Sequence, residues 1–157
     1  MNNEVFRLEK ISAKLDGINV IHDISFTINK GEICALIGEN GAGKSTSMRI
    51  LAGVIPKAAG RIYMEGQPVT INSVHEAQKL GIKMLFHEPK LFDEFTVEYN
   101  IFAGHEICHP GTMIVKKPYQ QERAREILSL LGCNFGPDVI VSTLSTAQKR
   151  MVEIAKA

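Results

Sequence analysis

The spacing of apolar residues divides the chain into a strand-rich first part and a helix-rich second part. Glu4 to Ile11 and Val20 to Ile28 contain alternating apolar positions, which predicts two half-buried strands. Ile33 to Ile37 is a short apolar run without alternation, and such a run predicts a strand buried on both faces. From Glu88 onward the pattern is helical. The chain is therefore predicted to be an α/β protein.

The other predicted elements follow from the same periodicity and from glycine and proline positions. After the buried run, apolar residues recur at three- and four-residue intervals, which predicts an amphipathic helix that Pro56 ends. The apolar positions of this helix are Met48, Leu51, Ala52 and Ile55. The remaining predicted elements are a hairpin of Arg61 to Met64 and Pro68 to Ile71 around Gly66, a helix from Ser73 to Leu80 stopped by Gly81, a strand from Ile82 to Phe86, and helices at Val97 to Phe102, Gln120 to Leu131 and from about Ser145. The last helix is still running at Ala157, without a C-cap glycine or a proline, so the chain is predicted to be cut inside an element.

Composition and charge exclude several classes of protein. The 157 residues suffice for one domain with a core. Lysine and arginine number 18 against 17 acidic residues, and no basic stripe is visible, so no nucleic-acid partner is expected. No secretory signal and no apolar run of about 20 residues is present, so membrane association would require a partner protein. The three cysteines include no CxxC pair, which disfavours a disulfide framework or a zinc ribbon. Cys34 is predicted to lie in the core, and Cys133 to be structural.

A glycine-rich motif between the buried run and the first helix carries the clearest chemistry. Residues 38 to 45 match the spacing G-x-x-x-x-G-K-[ST]. Glycines allow successive amides to point at phosphate oxygens, and the following helix adds its positive N-terminal end. Lys44 is expected to contact the β- and γ-phosphates, and the Ser45 hydroxyl to bind Mg²⁺. The predicted nucleotide-binding residues are Gly38, Glu39, Asn40, Gly41, Ala42, Gly43, Lys44, Ser45 and Thr46.

Several segments together resemble the ATP-binding subunits of ABC transporters. The phosphate loop is followed by Met48 to Gly53, and Leu144-Ser145-Thr146-Ala147-Gln148 is similar to the family signature Leu-Ser-Gly-Gly-Gln. Within the family, the chain resembles the first cassette of importers of the ribose, galactose and xylose type. The segments that carry this narrower resemblance are Ala77 to Ile82, Asn100 to Gly104 and Met151 to Ala157.

The resemblance implies a fold, a mechanism and partners. Residues 1–84 would form the P-loop core with an antiparallel β subdomain. Residues 85–157 would form a helical subdomain with the signature, truncated before the Walker B strand. ATP with Mg²⁺ would lie between one phosphate loop and the signature of a second cassette, in a homodimer or a tandem copy. Permease subunits and, indirectly, a substrate-binding protein would be partners at the cytoplasmic face of the membrane. Leu15 would lie against the adenine.

Two positions and one absence depart from the family pattern. His87 stands where the family has the Q-loop glutamine, and Ala147 replaces the second signature glycine, so its methyl group would face the γ-phosphate. The Walker B carboxylates and the switch histidine are absent, so the chain alone is not expected to hydrolyse ATP at a useful rate. Two alternatives to a sugar-import ATPase remain: a non-hydrolysing remnant that binds nucleotide, and an ABC ATPase for another substrate class.

A competing motif predicts a zinc hydrolase. His105, Glu106 and His109 match H-E-x-x-H, which needs a helix to place both histidines on one face. Gly104 precedes the motif and Pro110 follows it, so a sustained helix is not expected. The segment is instead predicted to be a polar loop.

Overall fold

The computed structural model describes residues 3–15, 17–39, 41–86 and 90–157. The chain divides into two compact units, Met1–Met84 and Leu85–Ala157. Among the described residues, the first unit contains a β-sheet with two helices, and the second is helical. The predicted α/β class, with a strand-rich first part and a helical second part, is confirmed.

A four-stranded antiparallel sheet forms the framework of the first unit. Its spatial order is β2-β1-β3-β4, so the two longest strands lie side by side. The strands are β1 (Glu4–Leu15), β2 (Ile18–Asn29), β3 (Ala59–Met64) and β4 (Gln67–Val69). Alternate residues of β1 are buried because successive side chains of a strand point to opposite faces, and one face of this sheet covers the core.

Two helices complete this unit, and their apolar residues share one core with the sheet. Helix α1 (Lys44–Leu51) follows the glycine-rich motif, and α2 (Val74–Lys79) has Ser73 as its N-cap, whose hydroxyl accepts a hydrogen bond from the Glu76 amide at 3.2 Å. The capping residue and the left-handed Gly81 delimit α2 as the sequence predicts. The buried core residues are Phe6, Leu8, Ile11, Ala13, Ile21, Ile50, Leu51, Ile62, Ile71 and Ala77.

A two-residue turn joins β3 to β4. Met64 pairs with Gln67, and the intervening Glu65 and Gly66 both have positive φ angles, 49° and 80°. Two positive φ angles in a row match the twist of the flanking strands, but the first is strained for a residue with a side chain. The predicted hairpin is confirmed, with β4 ending at Val69.

The prediction of buried strands at Ile33–Ile37 and Ile82–Phe86 is wrong. Neither stretch forms a strand, and Ile33 and Ile37 are 99% and 91% exposed. A strand needs a neighbouring strand for its backbone hydrogen bonds, and neither stretch pairs with the four antiparallel strands that make up the sheet of the described residues. Cys34 is exposed for the same reason, so the prediction that it lies in the core is also wrong.

The end of α1 differs from the prediction as well. The helix stops at Leu51, five residues before Pro56, and Gly53 adopts a left-handed conformation with φ 69°. The Gly53 amide donates to the Ile50 carbonyl at 3.0 Å, which satisfies an otherwise unpaired carbonyl of the last turn. A Cβ at this glycine would lie 2.2 Å from the Ser73 carbonyl oxygen, so glycine is required here.

In the second unit, the described residues 90–157 pack three helices around a small apolar core. They are α3 (Val97–Phe102), α4 (Lys117–Leu130) and α5 (Thr146–Lys156), with a 3₁₀ turn at Val141–Thr143. The buried core residues are Val97, Ile101, Ala124, Leu128, Val141, Leu144 and Val152. Cys133 packs against this core, and burial raises the pKa of its thiol, as fits the predicted structural role. No helix in the described ranges is both long and apolar enough to cross a membrane.

Candidate functional site

The glycine-rich motif contains left-handed glycines at positions 41 and 43. Gly41 and Gly43 have φ angles of 87° and 85°, a region in which side chains are strained. The Ala42 amide donates to the Glu39 carbonyl at 3.2 Å, which closes a turn within the loop. At Gly43, a Cβ would lie 3.0 Å from Ile21 Cγ1 and 3.1 Å from the Val20 carbonyl oxygen. Glycine is therefore needed at position 43 both for backbone conformation and for the close approach of β2.

Lys44 folds its side chain back over this loop. Its Nζ donates to the carbonyl oxygens of Gly38 and Glu39, both at 2.6 Å. The two carbonyls lie at the start of the motif and Lys44 at its end, so the ammonium group joins both ends of the loop. An ammonium group held over a loop of this kind is suited to an oxyanion that can compete with the two carbonyl oxygens.

The first turn of α1 presents the remaining polar groups of the motif. Gly43 is the N-cap, and no acidic side chain lies in the first turn, so the positive end of the helix is not neutralised locally. Ser45 is exposed, whereas Ser47 is buried and its hydroxyl donates to the Gly43 carbonyl at 2.9 Å. Ser45 is thus available to a ligand, and Ser47 fixes the junction between loop and helix.

Three sequence-predicted site residues lie at or beyond the limits of the described residues. Asn40 and His87 fall outside them. Leu15 is the last residue of β1, and its side chain is not among those described. The roles proposed for these residues remain predictions.

The signature segment forms the start of α5. Ser145 is the N-cap: its Oγ accepts from the Gln148 amide at 3.3 Å, and the Gln148 side chain accepts from the Ser145 amide at 2.9 Å. This reciprocal pair is a capping box, which satisfies two unpaired amides of the first turn. Leu144 is buried, whereas Thr146 and Ala147 are exposed. Ala147 lies in the first turn of the helix, where alanine is favoured, so its backbone does not require glycine.

Two charged residues further along α5 contact backbone atoms far away in the sequence. Glu153 is buried, and its Oε1 accepts from the Lys90 amide at 2.8 Å. Arg150 donates from one Nη1 atom to the Phe86 carbonyl at 2.5 Å and to Glu153 Oε2 at 2.6 Å. Neither residue is among the site residues predicted from the sequence. The available signal was a charged pair at i,i+3 with one member in the apolar face of a helix.

A buried asparagine fixes the loop of residues 91–96, which precedes α3. Asn100, in α3, is fully buried, and its side chain accepts from the Phe92 amide at 2.7 Å and donates to the carbonyls of Phe92 and Thr96, both at 3.0 Å. This loop carries Phe92 and Phe95, which form edge and stacked contacts with Tyr99. The three rings remain about half exposed on a backbone that Asn100 fixes.

The competing zinc motif lies in a loop, as predicted. Residues 105–116 form a hairpin-like loop in which Cys108 pairs with Val115, not a helix that would align the two histidines. Hydrogen bonds from its own amide and from the Gly104 amide hold the pKa of the exposed Glu106 carboxyl below its ordinary value. Across the described ranges, no group of three His, Cys, Asp or Glu side chains is arranged to hold a metal ion.

The loop, the lysine and the helix N-terminus together have the arrangement of the phosphate-binding loops found in nucleotide-binding proteins. Comparison with known families identifies one group within this class of nucleotide-binding proteins. The family model for ABC transporters matches residues 21–157, and the chain belongs to this family.

The similar proteins of known function are ATP-binding proteins of importers, which agrees with the ABC transporter family. The chain is 42% identical over 155 residues to a ribose import ATP-binding protein, RbsA, of Hahella chejuensis, covering 99% of this chain and 31% of that protein. It is 37% identical over 153 residues to RbsA of Clostridium perfringens, covering 98% and 30%. It is 35% identical over 159 residues to a xylose import ATP-binding protein, XylG, of Geobacillus kaustophilus, covering 100% and 31%. The chain therefore spans about 30% of the length of these relatives, in their N-terminal part.

Solved structures show the same fold. A nucleotide-free ATP-binding cassette from an ABC transporter matches with a TM-score of 0.80 at 29% identity, covering 98% of this chain and 64% of that one. The ADP conformation of the cassette MJ1267 matches with a TM-score of 0.81 at 28% identity, covering 98% and 63%. The predictions of an ABC cassette fold and of a partial, N-terminal cassette are both confirmed.

Proposed function

We propose that the chain is the N-terminal part of the ATP-binding subunit of a sugar importer, and that it binds ATP at the loop of residues 38–46. Lys44 carries this proposal, because its ammonium group joins the ends of a glycine loop at the positive end of α1. ATP would replace the two carbonyl oxygens with β- and γ-phosphate oxygens, which bear more negative charge. The relatives are named as ribose import and xylose import ATP-binding proteins, which supports a sugar as the transported substrate.

The donor set of the loop also fits a nucleotide-bound Mg²⁺. Ser45 is exposed beside Lys44, and a serine hydroxyl is a hard oxygen ligand of the type that Mg²⁺ accepts together with phosphate oxygens. Mg²⁺ would neutralise charge on the β- and γ-phosphates, while Lys44 and the start of α1 orient them.

The partners follow from the same proposal. The signature residues 144–148 would contact the nucleotide of a second cassette, in a homodimer or a tandem copy. Permease subunits would anchor the assembly at the cytoplasmic face of the membrane, and a substrate-binding protein would act through the permease. Thr146 and Ala147 lie exposed at the start of α5, where amides of the first helical turn favour an anionic group, which supports the contact with the second cassette.

A non-hydrolysing nucleotide-binding protein is the second candidate. It is favoured by histidine at position 87, where the family has glutamine, and by the methyl group of Ala147 in the exposed first turn of α5. Both candidates bind nucleotide at the same loop. Phosphate release by the natural gene product in the presence of its permease would separate them, because only the transport ATPase would release phosphate.

The decisive experiment for nucleotide binding is titration with a fluorescent ATP analogue. Lys44→Ala should weaken binding at least tenfold, because one charged hydrogen bond contributes about 1.5–3 kcal/mol and 1.4 kcal/mol corresponds to tenfold. Lys57→Ala is the matched control: Lys57 lies in the same unit and donates to the Gly60 carbonyl at 2.9 Å, away from the loop. Equal affinities of the Lys44→Ala and Lys57→Ala proteins would contradict the proposal.

Ser45→Ala tests the metal separately. The variant should bind the analogue more weakly than the unaltered protein in Mg²⁺ and equally well in a chelator. A loss that is the same in both conditions would show that Ser45 acts on the loop and not through the metal. Circular dichroism of each variant would establish that the fold is retained.

A further inference from the structure

Two bulges lie side by side in the longest strands of the sheet. Lys10 in β1 and Asp23 in β2 both have a φ angle of 47°, and the pairing of the two strands shifts on either side of Ile11. The Lys10 amide donates to Ser25 Oγ at 2.9 Å, and the Asp23 amide donates to Ser12 Oγ at 3.1 Å. Each left-handed residue, which is strained because it carries a side chain, is therefore held by a serine of the neighbouring strand.

The bulge in β1 changes which side chains are accessible. Leu8 and Ile11 are both buried although they are three residues apart, whereas alternate residues of a regular strand share a face. Glu9 and Lys10 between them both remain accessible, as happens where a bulge re-aims a side chain. Gly60 in β3 permits the close approach of this bulge, because a Cβ there would lie 2.4 Å from the Lys10 carbonyl oxygen.

A cavity of about 720 Å³ lies at these bulges. Its polar side chains come from all three neighbouring strands and are those of Glu9, Lys10, Asp23, Ser25 and Arg61. Small-molecule sites in proteins commonly measure about 300–1,000 Å³. The cavity is therefore large enough for a small organic ligand.

The charged groups of the cavity differ in whether the protein itself provides their partners. The Glu9 carboxylate forms an ion pair with Arg7, and Asp23 Oδ1 accepts from a serine hydroxyl at 3.3 Å. Among the residues that the structure describes, the Lys10 ammonium and the Arg61 guanidinium form no ion pair and donate no hydrogen bond. Both cations are thus left for an anionic ligand, and guanidinium groups bind phosphate with two parallel hydrogen bonds.

We propose that this cavity binds a small phosphorylated polyol, the chemical class of the sugar phosphates. Lys10 and Arg61 hold the phosphate group, and the carboxylates of Glu9 and Asp23 accept hydrogen bonds from hydroxyl groups of the polyol. Backbone strain of this kind persists at ligand sites, where the surrounding structure fixes it. None of the lining residues belongs to the loop of residues 38–46, so binding in the cavity does not require nucleotide.

Isothermal titration calorimetry of the natural gene product tests the site with three probes: ribose 5-phosphate, inorganic phosphate and ribose. Ribose 5-phosphate should bind at least about tenfold more tightly than either of the others, because it alone reaches both the cations and the carboxylates. Inorganic phosphate that bound as tightly would overturn the contacts with the polyol. A lack of binding by ribose 5-phosphate would overturn the site itself.

Substitutions locate the bound ligand. Arg61→Ala should weaken binding of ribose 5-phosphate at least about tenfold, because a charged hydrogen bond is lost. Lys14→Ala removes an exposed lysine of the same sheet outside the cavity lining, and this matched control should leave the affinity unchanged. The loop of residues 38–46 also offers phosphate contacts, so a loss in Lys44→Ala without one in Arg61→Ala would place the ligand there and overturn the proposal. Arg61→Gln provides the same comparison if Arg61→Ala does not fold.

Lys10→Gly separates a role in ligand binding from a purely structural bulge. Glycine relieves the left-handed strain and removes the ammonium group, so the urea midpoint should rise while the affinity for ribose 5-phosphate falls at least about tenfold. Lys10→Ala keeps the strain, and it should lower the affinity without raising the midpoint. An unchanged affinity in both variants would overturn the proposal, because the bulge would then serve the fold alone.

Discussion

Two glycines of the phosphate-binding loop have the same backbone conformation but different surroundings, and alanine at each should therefore have different costs. Gly41 has a φ angle of 87° and Gly43 one of 85°. An added Cβ at Gly41 would meet no atom within 4 Å, whereas at Gly43 it would lie 3.0 Å from Ile21 Cγ1. The pair thus separates the cost of backbone strain from the cost of crowding against β2.

The magnitudes follow from these distances. A left-handed conformation costs a residue with a side chain about 1–2 kcal/mol, and replacing glycine recovers about 0.4–1 kcal/mol by restricting the unfolded chain. Gly41→Ala should therefore lower the free energy of unfolding by about 1 kcal/mol. Overpacking in a close-packed region adds about 1–3 kcal/mol. Gly43→Ala should then lower the free energy of unfolding by about 2–4 kcal/mol in total.

Urea unfolding followed by circular dichroism measures both losses. The two variants should shift the transition midpoint to different extents while the slope of free energy against urea stays the same. Losses of stability that agree within about 0.5 kcal/mol, or a larger loss for Gly41→Ala, would contradict crowding of position 43 against β2. Because both substitutions lie in one loop and add one methyl group each, the difference reports the contact with β2.

Two further substitutions test other parts of the fold by the same unfolding measurement. Asn100→Ala should lower the free energy of unfolding by about 3 kcal/mol, because three hydrogen bonds of a fully buried side chain are lost at about 1 kcal/mol each. Asn72→Ala, at an exposed position, should change it by less than about 0.5 kcal/mol, and an equal effect of the two would contradict the role of Asn100. Glu65→Asn should raise it by about 0.5–1 kcal/mol, because asparagine tolerates the left-handed conformation that the turn before Gly66 requires. Glu65→Ala, which keeps the strain, should show no gain, and a gain as large as that of asparagine would argue against strain at this turn.

The phosphate loop and most helix limits were predictable because their signals are local. The spacing of Gly38, Gly43 and Lys44 specifies a loop whose backbone conformation few other sequences permit. Ser73 and Gly81 delimit a helix through contacts within a few residues of each end. In each case the residues that determine the structure are neighbours in the sequence.

The prediction of two buried strands was wrong because a buried strand depends on neighbouring strands and helices, and an apolar stretch does not specify these. Ile33–Ile37 has the composition of a central strand, but a strand forms only where another strand supplies hydrogen-bond partners. The contacts of Arg150 and Glu153 were hidden for a related reason. Their partners, the Phe86 carbonyl and the Lys90 amide, are backbone atoms more than 60 residues away, and backbone atoms leave no mark in the sequence.

The spacing of Ser145 and Gln148 is compatible with two roles, helix capping and nucleotide contact. Ser145 and Gln148 have the spacing of a capping box, and they also lie in the segment that resembles the family signature. In the structure both side chains bind within the first turn of α5. A substitution of Ser145 will therefore change the stability of the helix as well as any contact with nucleotide, and the two effects have to be measured separately.

The exposed run at Ile33–Ile37 bears on how the chain behaves at high concentration. It is a stretch of five uncharged residues without proline, and its backbone pairs with no strand among the described residues. Such a stretch is a template for intermolecular β-pairing. A second copy that paired with it along one edge would present its own free edge to a third, so association would propagate into aggregates and would not stop at a dimer. The residues that precede the nucleotide loop therefore also form a site at which copies of the chain can aggregate.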